Sequence, residues 1–337
     1  MLFCCVAVNF KTAALQHRNT ARQSVTPNPL RLTTNGREMI SGYLITILIT
    51  LAVYAILAHS LNIITGRAGQ ISLGHAAFFG IGAYAAAMFH TKAGFPFWLD
   101  IPLAALVAGI VGAILGIPCL RVRDDFLAIT TMGINFVIEA VFLYIPFFGG
   151  AMGIGGIRLP NWFGREMTKP EYFILIVVVF VLILLLDRKL ERSWIGLAWA
   201  SIREDEQAAA TMGVDIVRFK VLSFILGSAI AGLAGGFYAH FLTFIMPQNF
   251  GFGQSIVILS MVVFGGIGVR WGPILGAVIL GVLPEISRPI MEYRTLIYGV
   301  LLLTMMRFQP GGLLGSESFL PKVFRWAVSR SSVRRGS

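Results

Sequence analysis

Polar and ionisable side chains interrupt several long apolar runs of this 337-residue chain. Such groups are costly at membrane depth, so they face other helices or a polar cavity. They offer hydrogen-bonding chemistry, and the residues concerned, within the runs or just before one of them, are His59, Asn62, Gln70, Ser72, His75, Asn135 and Glu139. His59 and Asn62 share one helical face, as do Asn135 and Glu139. Two interpretations stay open for them: hydrogen bonds between helices, or the lining of a path for a polar solute.

Motifs for catalysis are missing from the sequence. It contains no GxxxxGK[ST] phosphate loop, no HExxH, no CxxC and no GxSxG. The Gly-rich turn at 66–69 lacks the phosphate-binding lysine and a preceding strand. Cys4, Cys5 and Cys119 have no metal or disulfide spacing, and no His, Asp and Glu cluster in the sequence indicates a metal site. We therefore expect no enzyme activity, no bound metal and no cofactor on this chain.

The composition indicates a membrane protein. Hydrophobic residues make up 56% of the chain and charged residues only 13%, against about 25% in soluble domains. The net charge of +11 raises the alternative of nucleic-acid binding. However, the basic residues lie between apolar runs and in the tails, as the positive-inside rule predicts, without one contiguous basic face. We expect no nucleic-acid partner.

The apolar runs predict an all-α polytopic membrane protein with about nine spans, because a helix needs about 20 apolar residues to cross the hydrocarbon core. The predicted spans are 40–63, 74–91, 97–118, 126–148, 170–188, 221–241, 253–268, 272–287 and 294–308. They form one membrane domain over 39–315, followed by a basic tail at 316–337. The polar segment 1–38 is either a disordered leader or precedes a true start at Met39.

The charge distribution predicts an orientation. The loop 187–220 and the tail after residue 308 are rich in Lys and Arg, which places both in the cytoplasm. With nine spans, the C-terminus is then cytoplasmic and the N-terminus lies outside. We expect this arrangement in a bacterial cytoplasmic (inner) membrane.

Glycines cluster at two places in opposite halves of the chain, at 66–82 and at 265–276. Close helix packing through small residues would explain them. A broken or re-entrant helix, whose exposed backbone lines a cavity, would explain them equally well. Both interpretations are kept, together with a weak indication of an internal repeat.

The cytoplasmic loop at 189–217 contains an Ala-rich stretch that predicts one short helix over 195–213, ended by Gly213. Leu197, Ala198, Ile202 and Ala209 can share an apolar stripe, while the segment 203–206 stays polar. A helix on the cytoplasmic face suits docking to a partner protein. A merely solvated connection is the alternative.

Several segments carry a resemblance to a known family. The segment 207–213 resembles the EAAxxxG coupling motif of ABC-importer permeases, with Gln207 in place of Glu. The segments 60–84, 121–130 and 265–273 resemble the M-type permeases of branched-chain amino-acid ABC transporters, and the resemblance covers roughly residues 40–315. Asp124 stands where a glycine is expected.

The resemblance implies a permease subunit for leucine, isoleucine and valine. Its implied partners are a second homologous permease in a heterodimer, two cytoplasmic ATPases that hold ATP and Mg, an extracytoplasmic binding protein and the membrane lipid. The residues it implies for contact with the ATPase are Arg203, Glu204, Asp205, Glu206, Ala208, Ala209 and Gly213.

Three other readings compete with this one. Related permeases look alike, so urea or short amides are alternative solutes. An ion-coupled secondary transporter would explain broken helices and Glu139, but not the coupling-like motif. A scaffolding membrane protein would not explain the polar residues within the spans.

Overall fold

The computed structural model describes residues 29–119, 124–162, 165–286, 296–297, 299–300, 303–304, 307 and 311–314. Side chains are described from residue 42 onward, except at 118, 119, 124, 125, 162 and 284–286. The expectations for residues 1–28, for the tail 316–337 and for most of the ninth span therefore lie outside the described residues. The chain divides into two compact units, 1–45 and 46–337.

The described chain is almost entirely helical, which confirms the predicted all-α class. The helices are α1 (Pro29–Leu61), α2 (His75–Ala93), α3 (Phe97–Cys119), α4 (Asp124–Tyr144), α5 (Lys169–Glu191), α6 (Trp194–Glu204), α7 (Glu206–Thr211), α8 (Ile216–Leu242), α9 (Phe252–Gly265) and α10 (Gly272–Ile286). Two short antiparallel ladders join β1 (Ile154–Gly155) to β4 (Phe244–Ile245) and β2 (Asn161–Trp162) to β3 (Arg165–Glu166).

By length and composition, five described segments can cross a membrane: 42–67, 97–117, 126–144, 216–242 and 247–265. A sixth apolar helix, 272–283, is shorter. The predicted spans 74–91 and 170–188 correspond to α2 and α5. The number of nine spans stays a prediction, while a multi-pass membrane protein follows directly from these helices.

Exposed apolar stripes run along the outer helices. On α3, Leu106, Ile110 and Ile114 are 52–61% exposed and four residues apart, so they lie on one face. The same pattern recurs on α5, at Ile174, Val178 and Leu182. Exposure of such continuous apolar faces to water is unfavourable, so lipid or another subunit covers them.

Among the described helices, the pairs α8–α3 and α8–α2 have the most extensive packing. Small residues allow this close contact, since a Cβ on Gly82 of α2 would lie 2.2 Å from the Gly232 backbone of α8. Likewise, a Cβ on Gly235 would lie 2.2 Å from the carbonyl oxygen of Phe79. For these glycines of α2 and α8, the packing interpretation is therefore correct.

The first Gly-rich region breaks its helix. After α1, residues 62–67 form a π-helix, and the chain then runs irregularly from Ala68 to Gly74 before α2 begins. In the second region, α9 ends at Gly265 and α10 begins at Gly272, with Gly268 at φ +80° in the turn between them. Helix breaks are therefore present in both regions, while the lining of a cavity by their backbone stays a prediction.

Candidate functional site

The loop predicted to form one helix over 195–213 contains two. The prediction of a continuous helix was wrong, because Asp205 is extended, at φ −154° and ψ 111°, and separates α6 from α7. The Asp205 carboxylate accepts hydrogen bonds from the backbone N–H groups of Gln207 and Ala208, at 2.8 and 2.9 Å. Asp205 is thus the N-cap of α7, a role that satisfies backbone donors with no partner inside the helix. We call α6, Asp205 and α7 the elbow.

The elbow ends where the sequence predicts. Gly213 has φ +86°, just after α7, and the N–H of Val214 donates to the carbonyl oxygen of Ala209 at 3.1 Å. This left-handed residue closes the helix as a C-terminal cap. Of the two alanines implied for coupling, Ala209 is buried and Ala208 is exposed.

The apolar stripe differs from the predicted one. Ala198, Ile202 and Ala209 are buried as expected, but Leu197 is 65% exposed, so its placement in the stripe was wrong. The physical reason lies within α6, where Leu197 is about 100° around the helix axis from Ala198 and about 140° from Ile202, so it does not share their face. Trp199, which is 1% exposed, is the main anchor of α6, and its Nε1–H donates to the Phe219 carbonyl oxygen at 2.8 Å.

The outer side of the elbow is apolar and open. Trp194, Leu197 and Met212 are 81%, 65% and 85% exposed. They line a cleft of about 500 Å³ between α6, the end of α7 and the start of α8. Exposed large apolar side chains around one cleft are typical of a protein-binding surface. We call this surface the elbow cleft.

The charged residues of the elbow divide into two roles. Lys220 of α8, which is buried, donates to the Glu206 carboxylate at 2.7 Å and so ties α7 to α8. The Arg203 guanidinium donates to the Gly66 carbonyl oxygen in the π-helix, which ties α6 to the first broken helix. Glu204 is exposed, and the structure gives its carboxylate no partner among the described residues. Arg203, Asp205 and Glu206 therefore position the elbow, whereas Glu204 is available to another chain.

A buried carboxylate on α5 connects α1, the π-helix and the α9–α10 turn. Asp187 of α5 is 1% exposed and accepts a hydrogen bond from Arg67 at 2.7 Å. His59 Nε2 and Arg270 Nε lie 3.5 and 3.6 Å from the same oxygen. Glu191 of α5 pairs with both arginines. We call these five residues the ionic node, and it joins α1, the π-helix, α5 and the α9–α10 turn.

The two Gly-rich regions meet beside the ionic node. The Asn62 side chain accepts from the Gly268 N–H at 2.8 Å and donates to the Val269 carbonyl oxygen at 3.3 Å. A Cβ on Gly66 would lie 2.5 Å from the Gly268 nitrogen, so only glycine allows this approach. The Asn62 side chain therefore bonds the first broken helix directly to the backbone of the second. His59 and Asn62 share a face, as predicted, but the two side chains bind different partners.

The start of α2 forms a second polar cluster. The Ser255 hydroxyl of α9 accepts from the Ala76 N–H at 2.9 Å and donates to the Asn135 side chain of α4 at 3.2 Å. His75 Nε2 lies 2.6 Å from the Ser60 hydroxyl. Thr131, one turn before Asn135, accepts from the Leu73 N–H at 3.0 Å. Hydrogen bonds between segments thus account for Asn135 and, in part, for His75.

Other predicted residues have no such partner. Gln70 and Ser72 are both 1% exposed, and their side chains make no hydrogen bond within the described structure. The same holds for the Thr65 hydroxyl and for Nδ1 of His75. Buried polar groups are rarely left unpaired, so this segment is suited to bind water or a polar solute. It is the part of the candidate site that packing alone does not explain.

Glu139 lies on the same face of α4 as Thr131 and Asn135, four residues further on. It is half-buried, and a Cβ on Gly251, at the start of α9, would lie 3.0 Å from its carboxylate. The structure therefore places Glu139 at the end of the same polar face as Asn135. Sequence reasoning missed Thr131, although its spacing of four from Asn135 was visible.

We expect Asp205→Ala to weaken the elbow without unfolding the chain. It removes the side-chain acceptor for two backbone N–H groups at the start of α7, which costs about 1 kcal/mol locally. Faster amide hydrogen exchange over 206–212 in the purified chain is the measurement, with Asp205→Asn as the control because asparagine also caps well. Unchanged exchange in Asp205→Ala would contradict the capping role.

The fold and the site together define a class of protein. It is a multi-pass helical membrane protein whose broken helices are joined to each other by the ionic node and to an exposed elbow by Arg203. Broken helices that expose polar groups at depth, with an attached docking surface, are the arrangement of a membrane transport subunit.

Comparison with known proteins identifies the family. Residues 43–306 match the family "Branched-chain amino acid transport system / permease component", and the chain belongs to it. The chain is similar to the high-affinity branched-chain amino acid transport system permease protein LivM of Salmonella typhimurium, with 34% identity over 82% of this chain and 71% of that protein. A probable LivM of Methanocaldococcus jannaschii is 26% identical over 66% of this chain and 69% of its own length.

A second kind of permease also matches. The LivH permease protein of Salmonella typhimurium is 25% identical over 78% of this chain and 91% of its own length. No solved structure matches the chain. The resemblance predicted from the sequence is confirmed, and the chain is a transport permease component.

Proposed function

We propose that this chain is the membrane subunit of an ATP-driven importer and forms part of the translocation path for leucine, isoleucine and valine. The observation that carries the proposal is the link from the elbow to the broken helices through Arg203 and Gly66. The names of the LivM and LivH relatives support the solute class. The proposal adds a mechanism and a substrate to the family membership.

The path, in this proposal, follows the first broken helix. The unpaired polar groups of Thr65, Gln70, Ser72 and His75 face the interior of the chain along this segment. Asn62 is the junction between the two broken helices, and Asn135 and Glu139 continue the polar face on α4. Polar groups without partners can exchange hydrogen bonds with the charged ends of an amino acid as it passes.

The elbow cleft is the proposed docking surface for a cytoplasmic ATPase. Trp194, Leu197 and Met212 supply exposed apolar area around a cleft, and Trp199 fixes the inner side of α6 against α8. Large apolar anchors surrounded by polar residues are typical of the centre of an interface. Glu204 lies beside a neighbouring cleft of about 480 Å³ and adds a free carboxylate for a basic group of the partner.

Closure of the ATPases would move the permease through rigid connections. A displacement of α6 acts on Gly66 through Arg203 and on α8 through Trp199, while Lys220 carries the displacement of α7 to α8. Since Gly66 packs on Gly268, the two broken helices would shift together. Alternating access then follows from rocking of packed helices rather than from chemistry on this chain. ATP and Mg belong to the partner subunits.

The proposed assembly contains two different permeases, two ATPases and an extracytoplasmic binding protein. The similarity of this chain to both LivM and LivH relatives supports a pair of homologous permeases. The basic residues of the loop 187–220 support a cytoplasmic position of the elbow. In a bacterial inner membrane, the C-terminus is then cytoplasmic and, with nine spans, the N-terminus lies outside.

Reconstitution tests this function. Vesicles that contain this chain, a LivH-type permease and two ATPases, with the binding protein on the outer side, are expected to take up labelled leucine only when ATP is present inside. Unlabelled isoleucine should compete, and urea should not. Uptake driven by an ion gradient without ATP would overturn the proposal in favour of a secondary transporter. Competition by urea but not by isoleucine would overturn the substrate.

A further inference from the structure

Three side chains that commonly bind metals meet at the end of α8 that is farther from the elbow. His90 lies in the last turn of α2, Asp100 in the first turn of α3 and His240 in the last turn of α8. One ligand atom from each lies within 4.8 Å of the others. Asp100 and His240 are fully buried, while His90 is 18% exposed. The sequence predicted no metal site, because His240 lies 140 residues from Asp100 along the chain.

The buried cluster has hydrogen-bonding capacity that the described protein does not use. Oδ1 of Asp100 and Nε2 of His240 are both buried without a hydrogen-bond partner. Such groups cost free energy when they are unpaired, and a buried carboxylate needs a cation or several donors. Both atoms belong to the three residues of the cluster, so one added cation would satisfy them together.

The His240 ring is oriented as a metal ligand. Its Nδ1 lies 3.0 Å from the carbonyl oxygen of Arg158, in the loop between α4 and α5. A carbonyl oxygen can only accept, so Nδ1 carries the proton, and Nε2 of the neutral ring keeps its lone pair. A metal-binding histidine commonly donates its other N–H to a carbonyl or carboxylate in this way. The free Nε2 lies 3.6 Å from Oδ2 of Asp100.

The distances fit a small coordination sphere. Nδ1 of His90 lies 3.1 Å from Oδ2 of Asp100, and Nε2 of His240 lies 3.6 Å from the same oxygen. Tetrahedral bonds of about 2.0–2.1 Å to zinc place neighbouring ligand atoms about 3.3 Å apart. These two separations fall on either side of this value, and the third, between the ligand nitrogens of the two histidines, is within 4.8 Å, so a side-chain movement of His90 or His240 forms the site.

We propose that His90, Asp100 and His240 bind one divalent transition-metal ion of the Zn²⁺ type. Two imidazoles and one carboxylate are ligands that suit such ions and leave one coordination position for water or another ligand. His90 also lines a cleft of about 550 Å³, bounded by the α2–α3 turn and residues 155–161, which gives the ion a route of entry. The ion clamps together the ends of α2, α3 and α8, the helices with the closest packing in the fold.

Metal titration of the full chain tests this site and does not depend on transport. The tag-free chain in detergent is stripped with a chelator and titrated with Co²⁺, followed by visible absorption, and with Zn²⁺, followed by calorimetry. We expect one equivalent of either metal and a higher midpoint of thermal unfolding with Zn²⁺. X-ray absorption of the Zn²⁺-loaded chain should show two imidazole ligands. No binding by the wild-type chain, or a site with sulfur ligands, would overturn the proposal.

Variants locate the site. His90→Ala, Asp100→Asn and His240→Ala are each expected to weaken Co²⁺ binding by about tenfold or more. His75→Ala is the matched control, because it also removes a buried histidine but lies outside the cluster, next to Ser60. His90→Ala is the variant least able to disturb folding, since His90 is part-exposed at a helix end. Binding that survives His90→Ala unchanged, or that is lost in His75→Ala, would place the ion elsewhere.

Discussion

Replacement of Asp187 by alanine is expected to destabilise the fold by about 3–5 kcal/mol, the cost of removing one partner from a buried ion pair. The Asp187 carboxylate is 1% exposed and is the shared partner of Arg67, Arg270 and His59. Without it, the Arg67 guanidinium, whose side chain is only 10% exposed, keeps a single carboxylate partner, Glu191, at the protein surface. The segments α1, α5 and the α9–α10 turn then have no shared ion-pair partner.

The measurement is the midpoint of unfolding of the purified chain in detergent, together with the fraction that elutes as a single species. Glu171→Ala is the matched control, because Glu171 lies at the other end of the same helix, where it accepts from the Thr168 N–H. Loss of this capping interaction should cost only about 1 kcal/mol. Equal stability of the Asp187→Ala and Glu171→Ala variants would show that the ionic node does not hold the helices together.

Replacement of the elbow-cleft residues is expected to abolish transport in a chain that still folds. Leu197→Asp and Met212→Asp each introduce a charge at an exposed apolar position, so the chain alone should be as stable as before. In the assembled importer the same charges would be buried. Loss of one interface anchor costs about 2 kcal/mol or more, which weakens ATPase docking by roughly 30-fold.

Two readouts separate docking from folding: ATP-dependent leucine uptake in reconstituted vesicles, and co-purification of the ATPase with the chain. Val217→Asp is the control, because Val217 is 57% exposed at the start of α8 and does not line the cleft. Variants that keep both uptake and ATPase binding would show that the ATPase docks on another surface. Variants that lose uptake but retain the ATPase would assign the cleft to transmission rather than docking.

Local patterns in the sequence predicted those features that depend on near neighbours along the chain. The all-α class follows from apolar runs about as long as a bilayer is thick. The spacing of four placed Asn135 and Glu139 on one face of α4, and Gly213 was readable as a helix stop. The break at Asp205 was missed, although an aspartate before Glu206, Gln207 and three alanines is an N-cap signal. Here a strong Ala-rich helix pattern outweighed a single capping residue.

Features that join distant segments needed the tertiary structure. Asp187 is 120 residues from Arg67, and His240 is 140 residues from Asp100, so no periodicity relates the members of either pair. The same holds for Asn62 and Gly268, whose contact depends on how two glycine-rich turns approach each other. By itself, the sequence determined that this is a lipid-embedded helical permease with a short helical segment ended by Gly213. Only the packing of α2, α3, α5 and α8 decided which polar groups pair and which stay free, because a buried charge is satisfied by whichever segment the fold brings beside it.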